Sequence, residues 1–141
     1  MSGQVPSRRS RRTTDPVHLA IVFPSLNVPL GRLDQLRAEL TCQALSCKQG
    51  LWLEGTRTAA AFGNGFLAAR SILNCVDTES ALCVVDPDDI IQFGLPLDRF
   101  DGLHIIDTDK CTVEEGKKLR LALRYIEDHV GRIHNVQNES Q

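Results

Sequence analysis

The chain has 141 residues, of which 42% are hydrophobic and 24% are charged, a balance typical of a single soluble globular domain. Aromatic residues account for only 5%, so Leu, Ile, Val and Ala must supply most of the core. No apolar run approaches the roughly 20 residues needed to cross a bilayer. The run Val17–Phe23 is short and lacks a small-residue cleavage site after it, which argues against a secretory signal peptide. We therefore expect a cytoplasmic or nuclear protein without membrane contact, not a secreted one.

The formal net charge is −2, but it is divided unevenly along the chain. Residues 1–16 contain four arginines and one aspartate, a net charge of +3, whereas the rest contains 12 basic and 17 acidic residues, a net charge of −5. Because residues 1–16 have almost nothing apolar to bury, we predict a disordered basic arm. The arm would bind nucleic-acid phosphates, direct nuclear import or act as a solubilising tail. Its arginines are Arg8, Arg9, Arg11 and Arg12.

The five cysteines are odd in number, and no two are spaced as in a CxxC motif. Cys42 and Cys47 are five residues apart, whereas metal ligands on one face of a helix are three or four apart. Cys83 lies in an apolar run, where cysteine usually behaves as a small hydrophobic residue. We therefore expect reduced thiols, no metal site and no cofactor.

The first half of the chain predicts a strand, a helix and two further strands. Val17–Phe23 is apolar, rich in β-forming residues and stopped by a proline, as in a buried strand. Apolar residues recur on one helical face over Gly31–Cys47, which predicts one long helix. A second strand begins at Leu51–Leu53, and a third ends near Phe62, before the turn signal Asn64-Gly65.

The second half predicts one helix, three short strands and a final long helix. The final helix begins at the capping box Thr112-Val-Glu-Glu115. The other predicted elements are a helix over Phe66–Asn74, strands at Ala81–Val85, Ile90–Phe93 and Leu103–Ile106, and a turn at Asp86–Asp89.

The last helix carries the strongest periodic signal in the chain. Apolar residues recur along it at steps of four and three, at Leu119, Leu123, Ile126, Val130 and Ile133. Such a stripe must be buried, either in the core of the protein or against a partner. We therefore predict that Leu119, Leu123, Ile126 and Val130 form an interface.

These elements predict an α+β fold with one sheet of about five or six strands, covered by about three helices. Antiparallel pairs are expected within the sheet, because strands follow one another without an intervening helix. A purely parallel sheet fits less well. The predicted domain extends over residues 17–134, between the arm at 1–16 and a tail at 135–141.

The segment Gly63-Asn-Gly-Phe-Leu-Ala68 matches the GxGxxA template of dinucleotide-binding turns. Its glycines would let a pyrophosphate approach a helix N-terminus. Asp86 follows Gly65 by 21 residues at the end of a predicted strand, where a ribose-binding acid belongs. The preceding run is rich in alanine and only 55 residues follow Asp86, which favours a simple turn between a strand and a core helix. Nucleotide binding at Gly63, Gly65 and Asp86 is the alternative.

No motif joins a nucleophile to a base in this sequence. His18 and His104 lie in predicted strands, and His129 and His134 lie near the end of the last helix, without a recognisable Ser, Cys or Glu partner. We therefore predict a non-enzymatic adaptor, regulatory or accessory subunit that binds a protein partner or a second copy of itself. The alternatives are a nucleotide-binding domain and a nucleic-acid-associated protein that uses the arginine arm.

Deletion of residues 1–16 tests the arm. Four arginines that contact phosphates should give a slope of log K against log salt of about −3 to −4. Deletion should abolish nucleic-acid binding, because the remaining chain carries a net charge of −5. Fluorescence anisotropy with single-stranded and duplex DNA at several salt concentrations measures both effects. Equal binding by the full and truncated chains would contradict the hypothesis.

Overall fold

The computed structural model describes residues 17–59, 61–74, 78–96, 100–127 and 133–136; the predicted arm and residues 137–141 of the predicted tail lie outside these ranges. One mixed sheet contains the seven strands Val17–Ile21 (β1), Ala44–Cys47 (β2), Gly50–Leu53 (β3), Thr56–Ala59 (β4), Ala81–Val85 (β5), Gly102–Ile106 (β6) and Ile133–Val136 (β7). Their order across the sheet is β4-β3-β2-β5-β1-β6-β7. The predicted α+β fold, a single sheet with antiparallel pairs, is confirmed.

The described helices are Leu30–Glu39 (α1), Gly65–Leu73 (α2), Pro87–Phe93 (α3) and Val113–Ile126 (α4), with short 3-10 turns at Pro24–Leu26 and Thr108–Lys110. None of the helices in this part of the chain has the length and apolarity to cross a membrane. The five strands β2-β5-β1-β6-β7 run parallel, and β3 and β4 add an antiparallel hairpin beyond β2. From β1 to β4 the chain moves across the sheet in one direction, and from β4 through β5 and β6 to β7 it moves in the other. Because crossovers between parallel strands are right-handed, this reversal places α1 on one face and the other three helices on the opposite face.

A hydrophobic core lies on each side of the sheet. On one face, which we call the α1 face, Leu33 and Leu36 of α1 pack over apolar residues of β1, β2, β5 and β6. On the other, Ile72, Ile90 and Ile126 of α2, α3 and α4 pack over the same strands. All five residues of β5 and all five of β6 are buried, as expected of parallel strands that are covered on both faces.

The prediction of a helix over Gly31–Cys47 is wrong in its second half. Helix α1 ends at Glu39, and Thr41 adopts a left-handed backbone conformation with φ of 54°. Ala44–Cys47 is strand β2, and all four of its residues are buried between β3 and β5. A short apolar run is compatible with a buried strand as well as with a helical face, and here pairing with β5 decides the outcome.

The prediction of a strand at Ile90–Phe93 is also wrong, because these residues form the end of α3. The side chain of Asp86 accepts a hydrogen bond from the Asp89 N–H at 2.9 Å, and the Asp89 carboxylate accepts one from the Asp86 N–H at 3.0 Å. This reciprocal pair is a capping box. Pro87 follows the cap, where its fixed φ favours the first helical turn. The acidic segment therefore starts a helix.

Strands β3 and β4 form a hairpin, whose turn is not predicted from the sequence. Glu54 and Gly55 both have positive φ, 53° and 85°, as in the two-residue turns that match the twist of paired strands. Strand β4 ends short of the predicted end near Phe62. The guanidinium of Arg57 on β4 lies 5.5 Å from the ring centre of Trp52 on β3, so the outer strand is held by a side-chain contact as well as by its ladder.

The predicted capping box of the last helix is confirmed. Glu115 donates its N–H to the Thr112 hydroxyl at 3.0 Å, and Thr112 donates its N–H to the Glu115 carboxylate at 3.1 Å. Helix α4 ends before the predicted stripe does, because Ile133 and His134 lie in β7 and not in the helix. Because β7 pairs in parallel with β6, residues 133–136 belong to the sheet and do not extend the helical stripe. Val130 lies outside the described residues.

An ion pair connects α1 to the end of β6. Arg32 donates two hydrogen bonds to the Asp107 carboxylate, at 2.6 Å and 3.1 Å. Asp107 has a left-handed φ of 53°, a conformation that aspartate tolerates better than most residues. Because its side chain is only 6% exposed, the bidentate contact supplies the hydrogen bonds that a buried carboxylate requires.

Candidate functional site

The carboxyl ends of β1, β2 and β5 open into a crevice of about 80 Å³. Strands β1 and β5 are neighbours, but the chain leaves β1 toward α1 and leaves β5 toward α3, on opposite faces of the sheet. In parallel α/β sheets such a divergence creates a gap outside the strand ends, where ligands bind. The polar part of the lining consists of Asn27, Lys48, Gln49, Asp86 and Asp89.

Asp89 is the buried acid of this crevice, with 7% of its surface exposed. Its Oδ2 atom accepts hydrogen bonds from the Gly65 N–H at 3.2 Å and from the Asp86 N–H at 3.0 Å. Gly65 is the first residue of α2 and Asp86 is the N-cap of α3. One carboxylate oxygen therefore accepts hydrogen bonds from the N-terminal residues of two helices, where negative charge is favourable.

Burial raises the pKa of the Asp89 carboxyl above its ordinary value, and the neighbouring charge of Asp86 acts in the same direction. The two N–H donors and the Lys48 ammonium favour the ionised form, but they do not offset the burial. Buried carboxyl groups with a shifted pKa in a crevice are candidates for ligand binding or proton exchange.

Gly65 lies against the backbone of β5. A Cβ atom at this position would be 2.5 Å from the Val84 carbonyl oxygen, 2.9 Å from Asp89 Oδ2 and 3.0 Å from the Val85 Cα. Glycine is therefore required for α2 to approach the strand this closely. This is one of the roles that the GxGxxA template gives to a glycine, the packing of a helix against a strand, and it needs no ligand.

The structure brings two of the predicted nucleotide-binding residues together and leaves the third apart. Gly65 and Asp86 both line the crevice, whereas Gly63 is exposed and a Cβ there would meet no atom within 4 Å. The Gly65 N–H is donated to Asp89, and the Leu67 N–H is donated to the N-cap side chain. A pyrophosphate would compete with these acceptors beside two carboxylates, which favours the predicted turn over the nucleotide site.

The residues predicted as an interface lie mainly inside the protein. Leu119 and Ile126 belong to the core beneath α4, with 7% and 0% exposure, and the partly buried Leu123 packs against it. Val130 lies outside the described residues, as do the four arginines of the arm. The stripe therefore covers the sheet, and any interface on α4 must use its outer side.

Two residues that line the crevice, Asp89 and Lys48, are not among the site residues predicted from the sequence. The signal for Asp89 is the spacing of the acids in Asp86-Pro-Asp-Asp, which fits a helix cap as well as a turn. Lys48 directly follows β2, and Asp86 directly follows β5. The sequence predicts a helix where β2 lies, so it gives no indication that both residues are at the carboxyl ends of neighbouring parallel strands.

The crevice is small, and its lining combines apolar side chains with the five polar ones. A volume of about 80 Å³ is well below the roughly 300–1,000 Å³ of ligand pockets. Cys47 also lines the crevice, but burial raises the pKa of its thiol above the ordinary value, which disfavours a nucleophilic thiolate.

No protein-family model matches the chain, and a search of curated proteins finds none with significant similarity.

The close approach of α2 to β5 can be tested with Gly65→Ala. The added methyl group should lower the free energy of unfolding by about 1–3 kcal/mol, because the contacts it meets are backbone and a buried carboxylate. Gly63→Ala is the matched control, since its methyl group enters open space. Urea unfolding measures both variants. Equal stability of the two would show that α2 does not need this contact.

Asp89→Asn tests the shifted pKa. Because the pKa of Asp89 is raised in the folded state, the folded protein binds this proton more tightly than the unfolded chain does. The wild type should therefore lose stability relative to the variant as the pH rises from ~3.9 through the folded pKa, and the difference should then level off. Urea unfolding across this pH range measures the difference. A stability difference between wild type and Asp89→Asn that does not change with pH would refute the assignment.

Proposed function

We propose that the protein is a non-enzymatic adaptor or accessory subunit that binds a protein partner through the outer surface of α2, α3 and α4, here called the helical layer. One observation carries this proposal: every exposed large hydrophobic side chain among the described residues lies on the helical layer. They are Leu67, Phe93, Val113, Leu121 and Tyr125, with exposed fractions of 42% to 80%. Large apolar side chains gathered on one side of a protein are typical of interaction surfaces.

Part of this surface, on α2 and α3, is here called the aromatic patch and consists of Phe66, Leu67, Arg70 and Phe93. The rings of Phe66 and Phe93 are stacked with their centres 5.4 Å apart, and the Arg70 guanidinium lies 5.8 Å from the centre of Phe66. Leu67 and Phe93 are 49% and 44% exposed. Aromatic and arginine side chains are enriched among the residues that dominate binding energy at interfaces.

The charges on α4 indicate the kind of partner. Lys117, Arg120 and Arg124 are exposed on this helix, beside Glu114, whereas the whole chain has a net charge of −2. Lys118 contacts Asp88 of α3 at 3.2 Å and so joins two helices of the layer. An acidic segment that also carries apolar side chains would complement this surface in charge and in hydrophobicity.

The proposed surface differs from the interface predicted from the periodic stripe. On α4, Leu121 and Tyr125 are one helical turn apart and exposed, on the side away from Leu119 and Ile126. Binding through the outer side leaves the core intact, whereas binding through the stripe would require α4 to leave the sheet.

The two alternative functions have less support. Nucleotide binding at Gly63, Gly65 and Asp86 conflicts with the carboxylates and the small volume of the crevice. Nucleic-acid binding depends on the arginine arm, which lies outside the described residues, and it would be independent of the helical layer. Light scattering of the purified chain distinguishes a second copy of the chain from a different protein as the partner.

A double variant, Leu67→Glu with Phe93→Glu, tests the proposal. Two carboxylates in the aromatic patch should weaken partner binding by at least about 2 kcal/mol, roughly 30-fold, as expected for residues that dominate the binding energy of an interface. Ala38→Glu on the opposite face is the control, since Ala38 is exposed on α1. Quantitative co-purification from native cells compares the three proteins, and light scattering of the purified chain detects self-association. Identical partners at identical recovery for the double variant would contradict the proposal.

A further inference from the structure

We propose that the crevice at the carboxyl ends of β1, β2 and β5 binds a small α-amino acid, with the ammonium group of the ligand at Asp89 and Asp86 and its carboxylate at Lys48. Lys48 directly follows β2, whereas Asp86 is the N-cap of α3 and Asp89 lies in the first turn of that helix. None of the exposed apolar side chains of the helical layer lines the crevice. The site therefore goes beyond the proposed adaptor function and does not depend on it.

Asp89 uses only one of its two carboxylate oxygens within the described part of the chain. Oδ2 accepts hydrogen bonds from the N–H groups of Gly65 and Asp86, whereas Oδ1 accepts none from any residue that the structure describes. The residue is only 7% exposed, but Oδ1 is not sealed off from solvent. Because a buried carboxylate oxygen is stabilised by a hydrogen-bond donor, Oδ1 is a point at which a ligand donor can bind through the crevice.

The negative charge of Asp86 selects a positively charged donor. Asp86 lines the crevice beside Asp89, and its side chain accepts the Asp89 N–H as the cap of α3. Burial and the charge of Asp86 both raise the pKa of Asp89, so both disfavour the ionised carboxylate. An ammonium group offsets the two effects, since it brings positive charge and several N–H donors to the two acids.

Lys48 supplies the opposite charge in the same crevice. It is exposed and forms no ion pair with an acidic side chain in the ranges that the structure describes. Its charge nevertheless lowers the pKa of Asp89, so it acts on this acid from beyond direct contact. A cation and an anion that line one crevice without touching leave a gap that a molecule carrying both charges can bridge. A free α-amino acid carries an ammonium group and a carboxylate on one carbon atom.

The size and the apolar lining of the crevice restrict the ligand further. A volume of about 80 Å³ holds roughly five to eight water-sized groups, at ~10–15 Å³ each, which suits an amino acid as small as alanine. Phe23, Leu33 and Val84 are among the apolar residues of the lining, and they favour a short aliphatic side chain on the ligand.

The first experiment titrates the full-length protein with L-alanine and with two probes of similar shape that each lack one charge, L-alaninamide and propanoate. L-alanine should bind with a dissociation constant of about 1 mM or lower, which is within reach of a ligand of this size. Each probe should bind at least ~10-fold more weakly, because a hydrogen bond to a charged group contributes that much or more.

Backbone ¹H–¹⁵N spectra measure the three affinities and locate the ligand. The signals of Gly65 and Asp86 should shift with L-alanine, because both N–H groups are donated to the Asp89 carboxylate. The absence of saturable binding of L-alanine, or equal affinity for either probe, would overturn the proposal.

Lys48→Gln separates the two ends of the ligand. The change should weaken L-alanine binding at least ~10-fold and should not weaken binding of L-alaninamide, which has no carboxylate for Lys48. Lys110→Gln is the matched control, because Lys110 is also exposed but lies outside the crevice lining, and it should leave both affinities unchanged. Undiminished L-alanine binding in Lys48→Gln, or an equal loss in Lys110→Gln, would contradict the assignment.

Asp89→Asn tests the other end. Asparagine keeps one carbonyl oxygen for the two backbone N–H groups and replaces the second oxygen with an NH₂ group, which repels an ammonium. The variant should therefore bind L-alanine and L-alaninamide at least ~10-fold more weakly than the wild type does. Wild-type affinity in a variant whose spectrum shows it to be folded would refute the role of Asp89. The result with Lys48→Gln decides the proposal even if Asp89→Asn does not fold.

Discussion

A single buried carboxylate fixes the relation between the helical layer and the sheet. Asp89 Oδ2 accepts hydrogen bonds from the first residue of α2 and from the N-cap of α3, while Gly65 allows α2 to touch the backbone of β5. The aromatic patch is built from residues of α2 and α3, so its geometry depends on this joint. The aromatic patch and the crevice are thus coupled, because Asp89 lines the crevice and also positions the two helices that carry the patch.

The elements that sequence predicted correctly are those whose signals are local. Ala81–Val85 is an apolar run that is buried on both faces, and Thr112 with Glu115 forms the predicted capping box. The predictions for Ala44–Cys47 and Ile90–Phe93 are wrong, because a four-residue segment with three apolar residues fits a strand and a helix equally well. Ala44–Cys47 forms a strand because it pairs with β5. Ile90–Phe93 forms a helix because Asp86 caps the helix that contains it. The number and mixed character of the strands could be anticipated; their order across the sheet could not, because no local signal encodes it.

The candidate sites divide in the same way. Gly65 and Asp86 were found from a template, and they do meet at the crevice, but the template could not show that Asp89 occupies the N–H group that a phosphate would need. The contact between His18 and His104 joins residues 86 positions apart in sequence. Nothing in the spacing of these histidines indicates it, since only the parallel pairing of β1 with β6 brings them to one face. Side-chain contacts that depend on the pairing of distant strands therefore cannot be predicted from local sequence patterns.

The hairpin of β3 and β4 has a consequence for how the protein behaves at high concentration. The outer strand reads Thr-Arg-Thr-Ala, its first three residues are exposed, and Arg57 donates a hydrogen bond to the Gln49 carbonyl oxygen at 2.7 Å. Charged and polar side chains on an outer strand discourage other chains from adding to it, which is how many native sheets resist growth into fibrils. A chain whose sheet edge is protected in this way can expose apolar side chains on its helical layer with less risk that further chains will add to the sheet.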